Sequence, residues 1–303
     1  MDGEKKYLNY NGQRIAYRQF GNADAPAIVM FMGLGLSSGA WPMPLLSFLL
    51  QEGFQIILPD NRDCGDSFRF PTGRIVTERE VSKAIIRAIA FLPVHGFYTL
   101  EDMAFDVENV LNELRIRRAH IVGFSMGGMI AQVLATQCPN RIASLISISS
   151  ACGNPKTGLG NFRAIKSLLS YPKTKKKELC RRYFETLFTT LAGERYKPNG
   201  EELKSLMETV EKTNYDIEGA YRQIFAILTS GNRTKQLRRI YVPTLVIHGT
   251  DDPLIPLAAG REVAELIPNA KIESIQGMGH QLPETLMPHM GKLIARHFHA
   301  NPV

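Results

Sequence analysis

The chain alternates between short, fully apolar runs and stretches with a helical apolar period. Its start departs from this rhythm: Tyr7-Leu8-Asn9-Tyr10 and Ile15-Ala16-Tyr17-Arg18 flank Asn11-Gly12. Asn-Gly tolerates positive φ at both positions, so this segment reads as a tight β-hairpin. The run Ala27-Ile28-Val29-Met30-Phe31-Met32, bounded by Pro26 and Gly33, suits a strand buried on both faces. A helical pattern over 41–52 and a second apolar run, Ile56-Ile57-Leu58, follow. Thr99 opens a helix that extends to residue 114, and its spacing to Asp102 approaches a capping box with Asp in place of Glu. The pattern then predicts strand 119–123, helix 126–137, strands 142–148 and 244–248, helix 258–266, strand 271–275 and helix 287–298. Strands alternating with helices, several of the strands wholly apolar, predict an α/β fold with a mostly parallel sheet covered on both faces.

Two stretches interrupt the alternation. Residues 153–239 are rich in helix formers and hold no convincing buried strand, so they read as a helical cap inserted between core strands. The core is then 1–152 together with 240–303. Residues 69–97 form a smaller insertion, with a helical period in Val81, Ile85, Ile86 and Ile89, placed to line the same opening. There are no internal repeats or low-complexity segments.

Composition narrows the class. The 303 residues suffice for one large core, and 44% apolar with 21% charged residues is ordinary for a soluble globular protein. No run approaches the ~18 apolar residues of a membrane span, and the start lacks a signal-peptide apolar core, so a cytoplasmic location is expected. Cys64, Cys138, Cys152 and Cys180 are scattered, which predicts free thiols and neither zinc nor a redox pair. The net charge of +7 is spread thinly, apart from Lys173, Lys175, Lys176, Lys177, Arg181 and Arg182. That cluster reads as a solvated helix face, with no nucleic-acid partner and no stable membrane insertion expected. Homo-oligomer formation stays open.

The candidate chemistry sits at the carboxyl ends of the predicted strands. Gly123-Phe124-Ser125-Met126-Gly127-Gly128 follows an apolar strand and precedes a helix, the strand–turn–helix context of a nucleophile elbow. Side chains at positions 123 and 127 are expected to collide with neighbouring backbone, which explains the glycines. A serine needs a base and an orienting carboxylate, and in this arrangement the chain order is serine, acid, histidine. His280 lies in a glycine-rich loop directly after the last strand, whereas His95, His120, His248, His289, His297 and His299 read as structural or surface residues. The acid is Asp252, which precedes Pro253, or alternatively its neighbour Asp251. Backbone N–H groups of Met126 and of the loop Met32-Gly33-Leu34-Gly35, with Leu34 first among them, are the expected oxyanion donors. No cofactor or metal is called for, since no metal-ligand spacing appears.

With these residues in place, the chain resembles the α/β-hydrolase superfamily over nearly its whole length. More narrowly it resembles carboxylesterases of the aclacinomycin methylesterase group. The resemblance rests on Met32-Gly33-Leu34-Gly35 with Trp41-Pro42, on Asp60-Asn61-Arg62-Asp63-Cys64-Gly65-Asp66-Ser67, and on Tyr98-Thr99-Leu100-Glu101-Asp102-Met103-Ala104. The serine motif and Gly277-Met278-Gly279-His280 complete it. It implies a Ser125–Asp252–His280 triad, oxyanion donors at Leu34 and Met126, and hydrolysis of a small-molecule carboxylic ester. Lactonase, carbon–carbon hydrolase and perhydrolase chemistry stay open, as does a ligand-binding module with an idle triad. The chain departs from many relatives in having Met32-Gly33 where they carry His-Gly, and in the length of segment 69–97.

Overall fold

The computed structural model describes residues 3–172, 176–212 and 215–303. Its centre is a single eight-stranded sheet. The hairpin strands β1 (Glu4–Tyr10) and β2 (Gln13–Phe20) pair antiparallel across Asn11 and Gly12, whose φ values are 49° and 76°. The remaining strands are β3 (Ala27–Phe31), β4 (Gln55–Pro59), β5 (Ala119–Phe124), β6 (Ile142–Ile148), β7 (Thr244–Gly249) and β8 (Lys271–Ile275). Their spatial order is β1-β2-β4-β3-β5-β6-β7-β8, and every pair from β4 to β8 is parallel. Each expected strand is present. The edge strand β8 buries only Ile275, because it has a neighbour on one side alone.

Alternate residues of the inner strands feed two cores, as the two-residue period of a strand requires. Val29, Phe31, Ile121 and Val246 face one side, and Ile28, Met30, Val122 and Ile247 the other. The crossover helices α1 (Met43–Gln51), α3 (Leu100–Glu113) and α4 (Met126–Gln137) cover both faces, while α2 (Glu78–Ile89), which also precedes β6, packs elsewhere. Leu45, Leu46 and Leu49 of α1 close one core, and Val107 and Val110 of α3 with Ile130 and Leu134 of α4 close the other. Both capping boxes that start α2 and α3 are complete, Thr77 with Glu80 and Thr99 with Asp102.

Between β6 and β7 the described residues form only helices: α5 (Pro155–Gly158), α6 (Phe162–Leu169), α7 (Lys177–Leu191), α8 (Gly200–Lys212), α9 (Ile217–Ser230) and α10 (Thr234–Leu237). They carry apolar clusters of their own; one joins α6, α7 and α8, and another joins α9 to Val81 and Ala84 of α2. Finally α11 (Leu257–Leu266) and α12 (Met287–His299) complete the outer layers. Within the basic cluster, Lys177, Arg181 and Arg182 are exposed and pair with Glu211, Glu185 and Glu178, whereas Lys173 and Lys175 lie outside the described residues. No helix among the described residues is long and apolar enough to cross a membrane. None of the four cysteines forms a disulfide among the described residues.

Candidate active site

Ser125 links the end of β5 to the start of α4 in a conformation that L-residues avoid, with φ 57° and ψ −120°. Its backbone hydrogen bonds hold it there. Its N–H donates to the Ile148 carbonyl (2.9 Å), and its own carbonyl accepts from Ser150 Oγ (2.8 Å) and from the Gly128 N–H (2.9 Å). The flanking glycines are required for space. A Cβ at position 123 would lie 2.2 Å from the Gly127 carbonyl oxygen, and one at 127 would lie 2.1 Å from that of Phe31. The tight turn is therefore fixed by contacts on both sides, and it delivers the serine hydroxyl to the first turn of α4.

His280 reaches Ser125 from the loop after β8. Its Nδ1 lies 2.8 Å from Asp252 Oδ2, and its Nε2 lies 2.9 Å from Ser125 Oγ. A carboxylate only accepts, so Nδ1 is the protonated nitrogen and Nε2 is left to accept the serine hydroxyl. Asp252, in the loop after β7, is oriented by two donors onto Oδ1, the N–H groups of Leu254 (2.9 Å) and Ile255 (2.8 Å). All three side-chain-bearing residues are buried. Asp251 points elsewhere: it is exposed and accepts from the Thr250 hydroxyl (2.8 Å).

A second histidine stands beside Asp252. His248 is fully buried, with Nε2 3.7 Å from Asp252 Oδ2, beyond hydrogen-bond reach, and 2.8 Å from the Ile255 carbonyl oxygen. Burial pushes its imidazole below the ordinary histidine value, against the pull of Asp252. It is thus a neutral Nε2–H donor that secures the loop carrying Asp252. The expected structural role for His248 is the one its contacts describe.

The loop after β3 passes directly against the elbow; a Cβ on Gly33 would lie 3.2 Å from Ser125 Cβ. Leu36 N–H donates to the Gly33 carbonyl (3.3 Å), closing a turn whose third residue, Gly35, has φ 67°. A turn with positive φ at that position favours glycine. Met126 begins α4, where the helix leaves its first N–H groups without intrahelical acceptors. Among the described residues, neither the Leu34 nor the Met126 N–H has a protein acceptor.

These groups open onto a cavity of about 560 Å³. Its walls come from the sheet-edge loops, from Ile85 of α2 and from α6 to α9. From 153–239, Leu168, Leu169, Phe184, Leu187, Phe188 and Leu228 are among the apolar residues that line it. Phe162 does not; it is 78% exposed, at the start of α6. Phe225 instead packs edge-on against Phe97, 5.7 Å between ring centroids. No lysine or arginine lines the cavity among the described residues.

Sequence reasoning missed the ties that hold these loops. Arg222 of α9 forms a bidentate pair with Asp63 (2.9 and 2.7 Å), which also accepts from Tyr98 Oη (2.7 Å). Arg62 pairs likewise with Asp106 of α3, both bonds 2.7 Å. The run Asp60 to Ser67 signalled importance, but these partners of Asp63 and Arg62 are 35 to 159 residues away and leave no local pattern.

A model of the alpha/beta hydrolase fold matches residues 26–285. Rhodomycin D methylesterase from Streptomyces peucetius is 28% identical over 302 residues, covering 93% of each chain. The 3-oxoadipate enol-lactonase 2 of Acinetobacter baylyi is 27% identical over 277 residues, covering 90% of this chain and 88% of its own. Among solved structures, an enol-lactonase from Burkholderia xenovorans superposes with a TM-score of 0.73 at 24% identity, over 96% of this chain and 99% of that one. The sheet order, the elbow and the match over most of the sequence agree, and the chain belongs to the α/β-hydrolase family, with methylesterases among its relatives.

Proposed function

We propose that this protein hydrolyses the carboxylic ester of a small, largely apolar molecule through an acyl-enzyme on Ser125. The carrying observation is the continuous line Asp252–His280–Ser125, two hydrogen bonds of 2.8 and 2.9 Å. His280 Nε2 takes the Ser125 proton as Oγ attacks the ester carbonyl carbon, and Asp252 stabilises the resulting imidazolium. The N–H groups of Met126 and Leu34 receive the oxyanion. Collapse breaks the carbon–oxygen bond, and His280 returns its proton to the leaving alcohol. Water then repeats the sequence and frees the acid. His280 carries every proton, so the cycle calls for no cofactor.

We assign residues 153–239 as a helical cap on a core of 1–152 and 240–303, with 69–97 a smaller insertion at the same opening. The support is that α6 to α9 and Ile85 line the cavity holding Ser125. Apolar walls without a cation favour a neutral ester over an anionic one, because a buried carboxylate without a partner is costly. Opening of a lactone, an ester closed on itself, is the second reading, favoured by the identity with the Acinetobacter enol-lactonase.

A fluorophosphonate probe and a p-nitrophenyl ester series test the proposal. Wild type is expected to label and to turn over at ~10³-fold or more above background, and Ser125→Ala to lose about 10⁶-fold in kcat. Labelling that persists in Ser125→Ala, or none in folded wild type, sinks the ester reading. Turnover of γ-lactones but of no open-chain ester selects the second.

A further inference from the structure

Resting on the serine-hydrolase reading above, we infer that Gln223 of α9, with Asn61, is a positioning residue for the oxyanion loop. Gln223 is fully buried, and its side-chain amide bridges two segments far from it in sequence. Oε1 accepts from the Gly35 N–H (2.8 Å), and Nε2 donates to the Arg62 carbonyl (2.8 Å). The two partners fix the amide's orientation, since an N–H can only donate and a carbonyl only accept. At the other end of the loop, Asn61 Nδ2 donates to the Met32 carbonyl (3.1 Å).

The loop is thus pinned on both sides of Leu34, whose N–H is the proposed donor. Gly35 is the third residue of a turn closed by Leu36 N–H to Gly33 O (3.3 Å), and its φ is 67°. The peptide joining Leu34 to Gly35 is the one that distinguishes turn types by flipping. By accepting the Gly35 N–H, Gln223 holds that peptide in one orientation and so keeps the turn that orients its neighbour, the Gly33–Leu34 peptide, whose carbonyl accepts from Leu36 N–H and whose own N–H is the proposed donor. It is itself held: its neighbour Arg222 is bolted to Asp63 by the bidentate pair. Tyr215 and Ala220 lie so close to Gly35 that a Cβ there would sit 2.8 and 3.3 Å from their side chains. The helix roofing the cavity therefore sets the direction of a donor on the sheet-edge loop. Gln223 does not line the cavity, so the effect acts through Gly35 and not through substrate.

This separates transition-state from ground-state binding. Gln223→Met keeps the volume but removes both hydrogen bonds. It is expected to lower kcat for p-nitrophenyl butyrate by about 10- to 100-fold, less than or equal to the loss of a whole oxyanion donor, with KM within about threefold. Affinity for a trifluoromethyl ketone, whose adduct carries the oxyanion, should fall by the same factor as kcat/KM, while butyrate inhibition is unchanged. Gln223→Glu keeps the acceptor for Gly35 and should retain clearly more kcat than Gln223→Met. Asn61→Ala should show the same kcat-selective signature from the other end of the loop, and covers the case in which position 223 variants do not fold. A folded Gln223→Met with wild-type kcat overturns the inference, as does equal loss of ketone and butyrate affinity, or a Glu variant no better than Met. If wild type itself fails to label with fluorophosphonate, the serine-hydrolase reading has failed instead.

Discussion

The two walls of the cavity that holds Ser125 are built on opposite principles. On the sheet side, nearly every functional atom is committed to a named partner: Ser125 to Ile148, Ser150 and His280, Asp252 to His280, Leu254 and Ile255. On the helical side, the wall is mostly apolar side chains such as Leu168, Leu187 and Phe188. Hydrogen bonds in a buried site are directional and leave an unpaired group when broken, so the sheet side tolerates almost no change. Apolar packing depends on volume, so the helical side can be remodelled in small steps. On the proposed reading the two regions divide chemistry from selectivity and meet at a seam, where Gln223 and Arg222 of α9 hold the sheet-side loops.

The largest effect expected on the sheet side comes from Asp252→Asn. The geometry would survive, but the amide can present its NH₂ to His280 and favour the wrong tautomer, costing about 10⁴-fold in kcat, or about 5.5 kcal/mol. Asp251→Asn, one residue away but exposed, should stay within about twofold. Steady-state kinetics of the two variants on one ester decide the matter. Equal losses, or a loss only at Asp251, would remove Asp252 from its proposed role.

The seam between the regions comes next. Arg222→Met leaves the carboxylate of Asp63 buried with Tyr98 Oη and the Phe70 N–H as its remaining partners. Breaking a buried pair on one side typically costs about 3–5 kcal/mol. Urea unfolding should show that loss in the folded-state stability of Arg222→Met. The double variant Arg222→Met, Asp63→Leu should recover part of it, because it removes the stranded charge as well. No recovery would mean that Asp63 serves the loop through Tyr98 and Phe70 instead.

The same contrast explains what the sequence made legible. The sheet was readable because strands such as β3, β4 and β6 are buried on both faces and appear as uninterrupted apolar runs. Ser125 and His280 were readable because the elbow and the loop after β8 carry local glycine signatures that the backbone needs. Asp252 and Asp251 could not be separated by composition; a two-residue register in the loop, fixed by Leu254 and Ile255 N–H, separates them in space. Gln223 left no trace at all, since it meets Gly35 across 188 residues, and Asn61 stood out only as a member of the run Asp60 to Ser67, with nothing local to give its partner. The apolar positions of α6 and α7 show the same limit: only tertiary packing leaves Phe162 exposed and sets Phe188 against the cavity.

The smallest effect expected is on the helical side, and it is the one that tests whether the regions are independent. Phe188 of α7 lines the cavity and stacks near Phe184, 6.0 Å between centroids. Phe188→Ala removes a ring from the wall and acts in two opposing ways. Short acyl chains lose apolar contact, while longer chains gain room that the ring had filled. One methylene in an apolar pocket is worth about 1–3 kcal/mol, so a change at the low end of that range is expected. The ratio of kcat/KM for p-nitrophenyl decanoate over butyrate should rise about tenfold, or about 1.4 kcal/mol, with kcat for the acetate nearly unchanged. Acetate, the shortest acyl group of the series, is expected not to fill the space beside Phe188, so its kcat reports on the proposed triad. A fall in acetate kcat equal to the change in the ratio would show that α7 also positions the loops carrying Ser125 and His280. The His280 N–H does donate to the Leu191 carbonyl at the end of α7 (2.8 Å), and this is the route by which such coupling would travel.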